Sequence, residues 1–128
     1  MEKISLDFET ALDLLRGDLA VVEKLRNYAS NEEICLTSLA MTQLMISVTK
    51  TDAVKSFLNS VTVLPFDKNA AHIAANLAIE LHSSGDDQKR LDTIMTAAIC
   101  ISNKAHLFSR AATNMESKYD GIKGLKKV

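Results

Sequence analysis

Short runs of strand-forming residues alternate with stretches of helical period along this chain. That alternation restricts the fold more than any other feature. Lys3 to Asp7, Glu33 to Thr37 ("EICLT"), Val61 to Phe66 ("VTVLPF") and the "AHLFS" run from Ala105 read as strands, and "GIKGLKKV" at the end offers a fifth. Between them fall apolar residues at helical spacing: Val21, Val22, Leu25, Tyr28 and Ala29; Met41, Leu44, Met45 and Val48; Val54, Phe57 and Leu58; Ala70, Ile73, Ala74, Leu77, Ala78 and Leu81; Leu91, Ile94, Met95, Ala98 and Ile99. A shorter helix over Glu9 to Leu15 is closed by Gly17, and Asp18 is placed to cap the next. Strand–helix alternation of this kind predicts an α/β domain, with a mainly parallel sheet of four to five strands and helices on both faces. Pro65 has no N–H, so the third strand ends there or lies at an edge.

In an open parallel sheet, ligands bind beyond the carboxyl ends of the strands. The residues just after each strand therefore carry the functional expectation. They are Asp7 after the first strand, Gln43 in the helix after the second, and Asn114 after the fourth strand; Asp92, at the start of the Lys89–Asn103 helix, is taken with them. Each has an ordinary explanation as well. Asp7 can cap a helix, and Asp92, next to an inward-facing Leu91, can complement a helix dipole. So can Glu9, in the first turn after Asp7.

Composition excludes several classes. The net charge of −1 gives no general attraction for nucleic acid, and aromatic residues at 5% with no Trp offer no stacking platform. The charge is uneven, however: residues 103–128 hold six Lys or Arg against two acids, and the first 102 hold nine against 14. The basic end reads as a solvated tail that could touch phosphate. His72, His82 and His106 share no ligand spacing, and neither a phosphate loop nor a nucleophile elbow is present. Cys35 and Cys100 lie in apolar segments and read as buried reduced thiols. No apolar run reaches bilayer length, which favours a cytoplasmic protein with no membrane partner.

Five segments together resemble the PIN-domain family, in particular the small VapC-like toxin ribonucleases. They are "SLDFETALDLLRGD", "LTSLAMTQLMISV", "TVLPFDKNAAHIAANL", "GDDQKRLDTIMTAAICI" and "AHLFSRAATNM". The resemblance spans residues 1–128 as one PIN-like domain. It implies Mg²⁺- or Mn²⁺-dependent hydrolysis of RNA at a cluster of carboxylates, with an antitoxin-like protein partner and a homodimer. Residue by residue, Asp7 and Asp92 match the first and third acids and take the catalytic and metal-ligating roles, with Glu9 as a further ligand. Gln43 stands where the family places Glu, and Asn114 where it commonly places Asp. Ser109-Arg110-Ala111 stands where Thr-x-Asn is usual, so one polar side chain is missing.

Each amide is isosteric with the acid it replaces but carries no charge and cannot act as a general base. Even at a screened dielectric, one charge pair at ~4 Å contributes about 4 kcal/mol of gross Coulomb energy. Two lost carboxylates should therefore weaken metal binding sharply. The expected activity is weak or absent RNA cleavage. The competing expectation is a catalytically inactive PIN domain serving as a protein-interaction or RNA-binding module.

Overall fold

In the computed structural model of this chain, the alternating segments form the elements their patterns predict, with ends shifted by a few residues. The structure describes residues 2–28, 32–49, 51–87, 89–109 and 118–128. Strands β1 (Glu2–Leu6), β2 (Glu32–Thr37), β3 (Thr62–Leu64) and β4 (Ala105–Phe108) form one sheet in the order β3-β2-β1-β4, and each neighbouring pair is parallel. The connections are α1 (Phe8–Leu15) and α2 (Leu19–Tyr28), then α3 (Ser38–Ser47) and α4 (Asp52–Ser60), then α5 (Lys68–Ser83) and α6 (Leu91–Ser102).

Side chains start most of these helices. Asp7, Thr37, Thr51 and Asp67 each hold an extended backbone conformation before a helix, and each accepts a hydrogen bond from the amide three residues on. Asp18 does the same for the Val21 amide at 3.2 Å. Each cap satisfies an N–H that the helix itself leaves without a partner. At the far end of α1, Gly17 adopts φ +77°, the left-handed conformation that stops a helix at low steric cost.

Alternate residues of the strands feed two apolar layers. Ile4, Leu6, Leu36 and Phe108 pack with Ala11 of α1, Val21 and Leu25 of α2, and Ala40 and Leu44 of α3. Cys35, Leu64, Ala105 and Leu107 pack instead with Ala70, Ala74, Leu77 and Leu81 of α5, and with Ile94, Ala97, Ala98 and Ile99 of α6. The chain steps outward from β1 to β2 to β3, then returns through α5 and α6 to β4 on the other side of β1. The strand order reverses beside β1, so the crevice for a ligand lies at its carboxyl end.

The structure departs from the sequence expectations in specific places. β3 is only three residues long where a six-residue run was expected, although it ends before Pro65 and lies at the sheet edge as that proline implies. Helix α6 begins at Leu91, and Leu91 is 66% exposed rather than inward-facing. It is the first helical residue and lies outside the buried stripe, which starts with Thr93 and Ile94. Met45 is likewise exposed, because Ala40 and Leu44 bury the inner line of α3. "GIKGLKKV" adds no fifth strand; it contributes a single parallel bridge between Leu107 and Lys127. Residues 118–128 of the basic end are also docked rather than free. Leu107 exchanges backbone hydrogen bonds with Lys126 and Val128 at 2.8 and 2.9 Å, and Tyr119 and Ile122 are buried. Among the described residues, no helix is long and apolar enough to cross a membrane.

Candidate functional site

Asp7 sits at the junction of β1 and α1, beside the end of β4, and is only 2% exposed. Its Oδ1 accepts the Thr10 amide at 2.9 Å, and its Oδ2 accepts the Ser109 hydroxyl at 2.6 Å. Its own amide donates to the Phe108 carbonyl at 3.3 Å. The cap reading and the site reading of Asp7 therefore coexist: one oxygen starts the helix, and the other is held from the neighbouring strand end.

Asp92 is half-buried in the first turn of α6. Its Oδ1 accepts the Thr93 amide at 3.0 Å and lies 3.2 Å from Arg90 Nε. The Thr96 hydroxyl donates to the Asp92 carbonyl at 2.8 Å. Glu9, on the first turn of α1, is exposed and lies 3.9 Å from Lys118 Nζ. Gln43 is exposed on α3, next to buried Leu44.

These side chains share one pocket of about 560 Å³. Asp7, Glu9, Gln43 and Asp92 line it together with Phe8, Leu39, Ala40, Thr42, Arg90, Thr93, Thr96, Lys118 and Tyr119. Four of the six residues expected from sequence thus meet, and Ser109 joins them through Asp7. Asn114 lies outside the described residues. Sequence reasoning did not single out Arg90, Lys118 or Tyr119. Arg90 had a local signal, standing two residues before Asp92. Lys118 and Tyr119 reach the pocket only because the closing segment folds back. The Tyr119 hydroxyl is held well above the usual phenol range, first by burial, then by the negative charges of Asp7, Cys100, Glu9 and Asp92.

Mg²⁺ prefers six oxygens at about 2.1 Å, several of them water, with one or two carboxylates from the protein. Among the described residues, no three of Asp, Glu, His or Cys gather closely enough to hold an ion together. Both oxygens of Asp7 accept hydrogen bonds, and Glu9 and Asp92 each lie beside a cationic side chain. As folded, this donor set does not fit a divalent cation.

No family model matches this sequence, and no curated protein matches it. Solved structures do. VapBC2 from Rickettsia felis, bound to a promoter DNA fragment, matches with a TM-score of 0.80 at 19% identity, over 98% of this chain and 97% of that one. DNA-bound VapBC from Salmonella typhimurium gives 0.78 at 19% identity, over 100% and 98%. VapBC-1 from nontypeable Haemophilus influenzae gives 0.76 at 14% identity, over 98% and 96%. The fold is PIN-like. At these identities the likeness carries the architecture, and the chemistry of a PIN-like pocket has to be argued from its own side chains.

Proposed function

We propose that this chain is a PIN-type domain of the VapC kind, one partner of a toxin–antitoxin pair, whose hydrolysis of RNA is weak or absent. One observation supports this above the others. Gln43 lines the same pocket as Asp7 and Asp92, at the position where the family resemblance places a glutamate. A neutral amide adds no charge to hold a cation and cannot take a proton from water. An antitoxin-like partner fits this reading, because the structures of like fold are named as VapBC complexes. A homodimer is expected on the same resemblance.

A second reading keeps the fold without the catalysis, as a protein-interaction or RNA-binding module. It is favoured by the cationic neighbours of Glu9 and Asp92, which leave less negative charge for a metal.

The test is repair. Gln43→Glu combined with Asn114→Asp should give cleavage of single-stranded RNA in Mn²⁺ or Mg²⁺ that clearly exceeds that of the parent. If the double variant folds and stays inert, the assignment of these positions to a PIN-type acid cluster fails.

A further inference from the structure

Among the described residues that line the pocket, two of the three acids face a cation that the chain itself supplies. Arg90 Nε lies 3.2 Å from Asp92 Oδ1, and Lys118 Nζ lies 3.9 Å from Glu9 Oε1. The two cations come from distant parts of the sequence and line the same pocket as the acids they face. Arg90 immediately precedes α6, where its backbone is extended, two residues before the acid it faces. Lys118 is placed by its neighbour: Tyr119 is buried, and the ammonium lies 5.4 Å from the centre of its ring. Asp7 differs, because among the described residues its hydrogen-bond donors are the uncharged Thr10 amide and Ser109 hydroxyl.

We propose that Arg90 and Lys118 are tethered counter-cations of this pocket, which occupy Asp92 and Glu9 in place of a divalent ion and which such an ion must displace. The inference rests on reading the pocket as PIN-type and adds what sets its cation affinity. With both pairs formed, these three acids and two bases carry a net charge of −1 where the acids alone would carry −3. An arriving ion therefore meets less attraction, and it must also separate two ion pairs. Both pairs are solvent-accessible, the Arg90 side chain at 82%, so the barrier is a competition and not a block. The pocket is consequently tuned by residues outside the carboxylate set.

Mn²⁺ titrated calorimetrically into the intact protein tests this without reference to catalysis. Arg90→Gln with Lys118→Gln should bind Mn²⁺ about tenfold more tightly than the parent. Arg90→Lys with Lys118→Arg keeps both charges and should match the parent. Neither position is buried, and thermal unfolding without metal checks that the variants fold. If the neutral double variant shows the parent's Mn²⁺ response, whether weak or undetectable, the proposal is overturned. It is also overturned if the charge-conserving variant gains affinity equally. An inert Gln43→Glu/Asn114→Asp protein would count against the ribonuclease reading instead, so the two failures are distinguishable.

Discussion

The Ser109 hydroxyl donates to Asp7 Oδ2 at 2.6 Å, joining residues 102 positions apart in the chain. The contact exists because β1 and β4 are parallel neighbours, with Leu6 paired to Phe108, so their carboxyl ends emerge side by side. A hydrogen bond to a buried charged group is stronger than an ordinary one. Ser109→Ala should therefore lower stability by about 1–3 kcal/mol in urea unfolding, and Ser109→Thr should lose much less. A double-mutant cycle with Asp7→Ala should show coupling between the two sites. Additive losses would mean that the contact contributes nothing.

Gly17 gives a prediction in which conformation alone is at stake. Its φ is +77°, and a Cβ added there would meet nothing within 4 Å. Gly17→Ala should cost about 1 kcal/mol through backbone strain, without any clash. Asn, which tolerates this region better, should lie between the two in thermal unfolding.

Tyr119 anchors the closing segment. Its ring is buried at 3% exposure within the layer formed by α5 and α6. Tyr119→Ala should destabilise by about 3 kcal/mol or more, as expected for deletion of a buried aromatic ring. Tyr119→Phe keeps the packing and should cost far less. Equal losses from the two would mean that the hydroxyl, rather than the ring, fixes the segment.

What the sequence made legible were features that local chemistry writes directly. Asp7 stood where an apolar strand gives way to a helix, and it does cap α1. Asp18 and Gly17 marked helix ends by the same logic. Pro65 marked a strand that ends there or lies at an edge, and β3 does both. Gln43 was singled out in the helix after the second strand and Asp92 at a helix start, and they meet Asp7 in one pocket. What could not be read depends on tertiary packing. Leu91 matches the apolar period of α6 yet stays exposed, because spacing gives a direction and not the extent of the neighbouring layer. Lys118 and Tyr119 sit in a segment without strand or helix period, and a net basic count suggested a loose end. The pairing of Leu107 with Lys126 and Val128, and the burial of Tyr119 and Ile122, show the segment folded back. Counter-ions contributed by such a segment leave no local sequence signal.

The two thiols make stability depend on alkaline pH. Burial pushes Cys35 up to about 11 and Cys100 up to about 12, from the ordinary 9.0. The charge of Glu33 adds to the effect at Cys35 and that of Lys3 opposes it, while the Ser5 hydroxyl opposes it at Cys100. Below the unfolded value of 9.0, both states keep their thiol protons and the contribution is fully present. Above it, the unfolded chain releases them first, so the folded state binds more protons and stability falls as pH rises. The loss continues until the folded thiols ionise near 11 and 12. By about pH 10 the two together should remove on the order of 3 kcal/mol. Tyr119, also raised, adds to the fall above its ordinary 10.0. Urea unfolding from neutral to alkaline pH measures this slope. Cys100→Ala should lower stability at neutral pH through lost packing, yet reduce the slope by about half over the window in which the thiols dominate. An unchanged slope in Cys100→Ala and in Cys35→Ala would assign the alkaline loss to other groups.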